Sequence, residues 1–169
     1  VVGEKPHPRS LETLNSFRAR VHHSYGKPVP MRYAGRDARA CGSGRTVILR
    51  LYSGHPPNRA LSADLHWMNG IYQLGLPRGR EYAASSPAMA QTFFGRRGQG
   101  THIMVNQTSL DQPGGLEADI YRSILLEALF QSFTFGMDVL LFDRSAPFLS
   151  KLQETPMDLQ RLPWSSRAF

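Results

Sequence analysis

The sequence feature that most constrains the fold is a long apolar segment, residues 116–138, crossed by one thin line of polar side chains. The line consists of Asp119, Ser123, Glu127, Gln131, Thr134 and Asp138. Steps of three and four residues keep side chains on one face of an α-helix. The remaining faces carry mostly apolar residues, namely Ile120, Tyr121, Ile124, Leu125, Ala128, Leu129, Phe130 and Phe133. This pattern predicts a long, largely buried helix at the centre of the fold.

The rest of the chain supplies the other elements of one globular domain over residues 1–169. A hydrophobic content of 41% in 169 residues is sufficient for a single packed core. The patterns predict a helix over 11–21 capped by Ser10, a strand over 46–52, a helix over 59–74 capped by Asn58 and ended by Gly75, a short apolar piece over 88–94, and a strand over 101–106. This order predicts an α+β domain in which a mixed sheet packs against helices.

The two ends of the chain give weaker patterns. Residues 1–10 contain Pro6 and Pro8 and predict a flexible arm, whereas residues 156–169 predict an irregular tail. An apolar run at 139–142 and a short helix at 146–154 are expected between the long helix and that tail. No stretch reaches the roughly 18 to 20 apolar residues that a membrane helix needs, so we expect no membrane span. We also expect a monomer.

The charge of the chain is strongly basic and comes almost entirely from arginine. The formal net charge is +7, and only Lys5, Lys27 and Lys151 are lysines. Eight arginines lie in glycine-rich connections: Arg32, Arg36, Arg39, Arg45, Arg78, Arg80, Arg96 and Arg97. Tyr33, Tyr82, Phe93 and Phe94 are interleaved with them. If these loops gather on one side, they form a basic surface suited to RNA, anionic polysaccharide or phospholipid. The alternative is an ordinary solvated surface.

Complete catalytic and metal-binding motifs are not found in the sequence. The single cysteine, Cys41, excludes an intramolecular disulfide and a multi-cysteine zinc site, and we expect it to be a packed residue. The glycine-rich loop at 95–100 precedes a strand, whereas a phosphate-binding loop follows one. No two histidines have the i, i+4 spacing of a metal site. His102 on its strand has two interpretations: it faces the polar line of the long helix as a binding residue, or it is simply packed and hydrogen-bonded, which is the commoner case for a single histidine on a strand. We therefore predict no cofactor and no metal ligand.

The centre of the long helix resembles the metal-binding helix of zincin peptidases, in which His-Glu-x-x-His supplies two zinc ligands and a general base. The equivalent positions run from Glu127 to Gln131, and both histidines and the base are replaced. The segment is more similar to the DUF2927 family of secreted bacterial proteins. Glu127, Gln131 and Asp138 match that family's pattern and Gly136 falls where glycine sometimes occurs, whereas Ala128, Thr134 and Met137 depart from it. The resemblance implies a zincin-like fold without a conventional zinc site.

These observations predict a secreted, non-peptidase protein that binds an extracellular anionic polymer or protein. The expected site combines a cleft at Glu127, Gln131 and Asp138 with binding residues at His102, Arg78, Arg80, Tyr82, Arg96 and Arg97. The extracellular location is suggested by the glycosylation sequon at Asn106 and by a chain that begins without methionine. The first alternative is a divergent hydrolase in which Glu127 pairs with Asp138 or Asp143. The second is a basic nucleic-acid-binding module.

Overall fold

The computed structural model describes residues 1–44, 46–84, 88–111 and 115–134. In chain order, its strands and α-helices are β1 (Val2–Gly3), α1 (Pro8–Tyr25), β2 (Val47–Tyr52), α2 (Asn58–Tyr72), β3 (Ala88–Gly95), β4 (Gly98–Asn106) and α3 (Gly115–Thr134). Short 3-10 helices at Ala38–Cys41 and Thr108–Asp111 precede β2 and α3. These elements form a single domain.

The strands form one mixed sheet in the order β1-β2-β4-β3. The pairs β1–β2 and β2–β4 are parallel, and β3 runs antiparallel to β4. Gly95 pairs with Gly98, so the β3–β4 hairpin turns through Arg96 and Arg97. The predicted α+β fold with a mixed sheet is confirmed.

The helices cover the two faces of this sheet separately because side chains alternate along each strand. On one face, Leu49, Leu51, Ile103 and Val105 pack in a core with residues of α1 and α3. On the other face, Ile48 and Met104 pack in a second core with α2. The sheet is thus the middle layer, with α1 and α3 below and α2 above.

The prediction of a flexible arm at residues 1–10 is wrong. Val2 is fully buried, and β1 pairs with β2 through Val2 opposite Arg50. Helix α1 then begins at Pro8, where Nδ1 of His7 accepts a hydrogen bond from the Arg9 amide. Ser10 is therefore a buried helical residue and not the predicted N-cap.

Other boundaries also differ from the predictions: α1 continues to Tyr25 and β4 begins at Gly98. Helix α2 begins at Asn58 with Pro57 as its N-cap, and the Asn58 side chain instead accepts a hydrogen bond from the Ala84 amide. The helix ends at Tyr72, because Gln73 takes up the left-handed conformation at φ 53° as its C-cap, before Gly75 is reached. The apolar piece at 88–94 is strand β3, an edge strand whose amphipathic alternation was too weak to identify in the sequence.

The predicted apolar run at 139–142, the helix at 146–154 and the tail at 156–169 lie outside the described residues, as does the last part of the long helix after Thr134. In the described part of the chain, no helix is both long enough and apolar enough to cross a membrane.

Candidate functional site

The polar line predicted along the long helix does not form a uniform polar surface in the structure. Asp119 is exposed, and Glu127 and Gln131 are half-buried. Ser123 is 1% exposed, and its hydroxyl has no hydrogen-bond partner within the part of the chain that the structure describes. The Gln131 side-chain amide donates to the Glu127 carboxylate at 3.2 Å, as expected for residues one turn apart. Asp138, the third predicted residue of this cleft, lies outside the described residues.

Of the two interpretations of His102, the structure supports the packed, hydrogen-bonded histidine and not the one that faces this helix. His102 alternates along β4 with Ile103 and Val105, whose side chains pack against α3. It therefore points to the opposite face of the sheet, beneath α2. The sheet separates it from Glu127, so these two residues cannot share a ligand or a metal ion.

His102 belongs instead to a buried ionic cluster with Arg50 of β2 and Asp64 of α2. The Arg50 guanidinium contacts the Asp64 carboxylate through both oxygens, at 2.6 Å from Nε and 2.7 Å from Nη2. His102 Nε2 lies 2.8 Å from Asp64 Oδ2. A second bond from Arg50 Nη2 reaches the Arg36 carbonyl at 3.1 Å. The Asp64 carboxylate thus joins α2 to two strands, and Arg50 extends the connection to the loop before the first 3-10 helix.

The buried Asp64 carboxylate is compensated by its two partners within the protein. Burial tends to raise the pKa of Asp64, but the hydrogen bonds from His102 and Arg50, together with their charges, hold it below its ordinary value. The three side chains are only 5%, 2% and 2% exposed, in the order Arg50, Asp64, His102. A group so enclosed cannot meet a polymer at the surface, and we interpret the cluster as a structural connection.

Arg50 and Asp64 were not predicted as members of any site, although each breaks a local pattern. Arg50 interrupts the apolar strand, and Asp64 lies on the inner stripe of α2 with Leu61, Leu65 and Met68. Charged residues are rarely fully buried unless they are paired. The sequence signal for this cluster was therefore two opposite charges at positions that face the interior. That Arg50 and Asp64 pair with each other depends on how α2 lies across the sheet.

The outer polar stripe of α2 holds a segment of chain along the helix. This strap comprises residues 74–84, and its backbone bonds to side chains at successive turns of α2. Asn69 bonds to both the amide and the carbonyl of Leu76. Next along the helix, His66 Nε2 donates to the Arg80 carbonyl at 2.9 Å. Ser62 accepts from the Tyr82 amide at 2.8 Å.

The predicted binding residue Tyr82 is a packing residue of this strap. Its ring meets His66 edge-to-face, and the Arg80 guanidinium lies 6.0 Å from the ring centre. The Tyr82 hydroxyl is buried, and no hydrogen-bond partner for it is found among the described residues. Since the ring is enclosed on these sides, its contribution to a binding surface is to position Arg80.

The β3–β4 hairpin attaches its tip to the C-terminal end of α2. The amides of Arg96 and Arg97 donate to the carbonyls of Gln73 and Tyr72, at 3.2 and 3.0 Å, and so satisfy groups that the helix leaves unpaired. The approach is so close that a Cβ atom at Gly95 would overlap the Tyr72 carbonyl. A Cβ atom at Gly100 would lie 2.6 Å from the Tyr72 ring.

Four predicted arginines are consequently brought to one part of the molecule, which we call the arginine surface: Arg78, Arg80, Arg96 and Arg97. All four are exposed. The strap carries the first pair along α2, and the hairpin places the second pair at the end of the same helix. Between Asp64 and Asp111, the sequence contains one acidic residue, Glu81. The segment between these two aspartates therefore carries a net positive charge.

The remaining predicted arginine loop does not join this surface. Gly35 accepts a hydrogen bond from Gly3, so the segment around Arg32, Arg36 and Arg39 follows the β1 edge of the sheet. The hairpin lies at the opposite edge. Arg45 lies outside the described residues.

Neither a metal-binding cluster among the described residues nor a known relative identifies further residues of the site. Among the described residues, no three or more histidine, cysteine, aspartate or glutamate side chains are grouped closely enough to hold a metal ion. No protein-family model matches the chain, and no curated protein or solved structure matches it either. The zincin-like relationship and the similarity to DUF2927 remain predictions.

Proposed function

We propose that this protein binds an anionic polymer, without transforming it, through the arginine surface formed by Arg78, Arg80, Arg96 and Arg97. The observation that supports this most directly is the attachment of two separate arginine-bearing segments to one helix. Guanidinium groups contact phosphate, sulfate or carboxylate groups through two parallel hydrogen bonds. Several such groups on one surface match a ligand whose charges repeat along a chain.

The rigidity of the scaffold also supports the proposal. Arg96 and Arg97 lie in a two-residue turn whose backbone is fixed to α2 by both amides. A positioned arginine loses less conformational freedom on binding than one on a mobile loop. Their positive charges also lie near the negative end of the α2 dipole, which favours them electrostatically.

The other predicted functions receive less support. The cleft at Glu127 and Gln131 is separated from the arginine surface by the sheet, and so it is not part of this proposal. A hydrolase would need Asp138 or Asp143 as partner to Glu127, and both lie outside the described residues. Secretion, inferred from Asn106, stays a prediction and is not required for binding.

The test is to measure binding to fluorescently labelled heparin, a general polyanion, over a range of salt concentrations. The variant Arg96→Ala/Arg97→Ala should bind at least about tenfold more weakly at low salt, and its affinity should depend less steeply on salt. The matched control is Arg9→Ala/Arg20→Ala, which removes the same charge from exposed positions on α1. At about 0.15 M salt the control should lose less than about twofold, because screening over about 8 Å then weakens charges that do not touch the ligand.

Equal losses in the two double variants would show that only net charge matters, and the arginine surface would lose its special role. Failure of the unaltered protein to bind heparin or any other polyanion at low salt would refute the proposed function.

A further inference from the structure

The strap and the hairpin tip meet α2 at two points along the same side of the helix. His66 Nε2 donates to the Arg80 carbonyl, and the Gln73 carbonyl accepts from the Arg96 amide. His66 and Gln73 are separated by two turns, and residues with this spacing share one face of an α-helix. At a rise of about 1.5 Å per residue, the two attachment points lie roughly 10 Å apart along the axis of α2. The two arginine-bearing segments therefore follow the helix one after the other.

Separate contacts with α2 fix the two segments. In the strap, the Arg80 guanidinium lies 6.0 Å from the centre of the Tyr82 ring, and that ring packs edge-to-face against His66. In the hairpin, the Arg97 amide donates to the Tyr72 carbonyl at 3.0 Å. Since different atoms of α2 hold the two segments, each segment can present its guanidinium groups to an anion by itself.

The stretch of α2 between the two attachment points carries no negative charge. Residues 66–73 contain no aspartate or glutamate. Gly70 and Gln73 are exposed in this stretch and are uncharged. A chain of negative charges that lies along the helix therefore meets no repulsive carboxylate from these residues, and it reaches guanidinium groups at both ends of the stretch.

We infer that the ligand of the arginine surface is an extended anionic chain that contacts two separate subsites at once. The strap pair is Arg78 with Arg80, and the hairpin pair is Arg96 with Arg97. This inference rests on the proposed function and adds a requirement for the length of the ligand. Contact at one pair holds the chain near the other pair, which raises the overall affinity by about 10²–10⁴ when the chain spans both. A compact anion occupies one pair at a time and lacks this gain.

The experiment measures binding of heparin fragments of graded size, from a disaccharide to long chains. The unaltered protein should bind the long chains at least about a hundredfold more tightly than the disaccharide, as expected when one chain bridges both subsites. Guanidinium groups bind sulfate and phosphate alike, so a parallel series runs from pyrophosphate to long polyphosphate. A gain of this size in either series agrees with the inference, and the larger of the two gains identifies the anionic group that the subsites prefer.

Removal of either pair should abolish most of the gain with length. Arg78→Ala/Arg80→Ala and Arg96→Ala/Arg97→Ala should each gain less than about tenfold, because a long chain then offers only additional positions for the one remaining pair. Each variant should lose at most about threefold in affinity for the disaccharide, since the other subsite still binds it.

The matched control Arg9→Ala/Arg20→Ala removes the same charge from exposed positions on α1 and should keep the gain with length. Equal gains for the unaltered protein and both single-pair variants would overturn the inference and leave polyanion binding intact. A loss of more than about tenfold in disaccharide binding by each single-pair variant would overturn it in favour of a compact anion that contacts both pairs. If no member of either series binds, the proposed function falls as well. Melting temperatures of all variants confirm that each is folded.

Discussion

The two faces of the sheet are stabilised in different ways. The lower face packs against α1 and α3 through an apolar core, with a small hydroxyl network in which Ser10 and Tyr121 lie 2.7 Å apart. The upper face packs against α2 and buries Arg50, Asp64 and His102 together. Apolar packing tolerates modest changes in shape, whereas buried charges require every partner in place. The proposed binding surface is built on the more constrained face.

The largest expected effect is from Asp64→Ala on the upper face. It leaves the buried Arg50 guanidinium unpaired and should cost about 3–5 kcal/mol of unfolding free energy. Chemical denaturation would measure the loss. The double variant Arg50→Met/Asp64→Leu should recover part of the loss, because the guanidinium and the carboxylate are removed together, although His102 then loses its partner. A loss below about 1 kcal/mol for Asp64→Ala would show that water or a rearranged partner compensates the guanidinium.

The Arg50–Asp64 pair also predicts that acid lowers the stability of the folded protein. Because the pKa of Asp64 is lower in the folded protein than in the unfolded chain, its stabilising contribution is complete above about pH 4. That contribution is lost as the pH falls through the folded-state pKa. The double variant should show a smaller acid-induced change in stability than the unaltered protein.

On the lower face, Leu125→Ala should be destabilising by about 2–5 kcal/mol through lost burial and the resulting cavity. Leu125 is fully buried in the core between α3 and the sheet. Leu116→Ala is the matched control on the same helix, because Leu116 is already partly exposed. Equal unfolding free energies for the two variants would contradict the proposed packing of α3.

Alkaline pH should destabilise the lower face through Tyr121. Burial raises the pKa of Tyr121 to about 12, against the lowering effect of the Ser10 hydrogen bond, while the unfolded value is 10.0. The folded state therefore holds this proton between these pH values, and stability falls as the pH rises. The loss should approach about 2–3 kcal/mol near pH 12. Tyr121→Phe should lack this component in denaturation experiments, whereas an unchanged pH profile would exclude Tyr121 as its source.

The smallest expected effect concerns the attachment of the hairpin to α2. Gly95→Ala forces a Cβ atom into the Tyr72 carbonyl and should cost about 1–3 kcal/mol. Gly70→Ala, at an exposed and unobstructed position on α2, should instead stabilise the protein by about 0.5–1 kcal/mol. Thermal or chemical unfolding distinguishes the two signs. A neutral Gly95→Ala would show that the hairpin can shift away from the helix end.

Much of the fold could be predicted from local sequence patterns. The strand at 46–52 and the helices starting near residues 59 and 116 were identified because their apolar runs and glycine or proline boundaries are local features. The β1 strand was missed since its two residues have no periodicity, and Val2 acquires its role only by pairing with β2. The N-cap of α1 was misplaced because Ser10 has a typical capping side chain, yet burial uses its hydroxyl in the network with Tyr121.

The residues of the candidate site were likewise predictable from the sequence only in part. Arg78, Arg80, Arg96 and Arg97 were selected from their charge and their glycine-rich surroundings, and exposure agrees with that selection. For His102 the sequence left two interpretations open, because alternation along a strand shows which residues share a face but not which helix covers it.

The sequence by itself determined the α+β composition, the basic charge and the segments that carry arginine, because these depend on residue type and short-range spacing. Only the tertiary structure decided that Arg50, Asp64 and His102 form one buried cluster and that the hairpin and strap meet on α2. Those contacts join residues far apart in the chain. Their formation depends on helix placement and on backbone approaches that only glycine permits, neither of which is encoded by a local pattern.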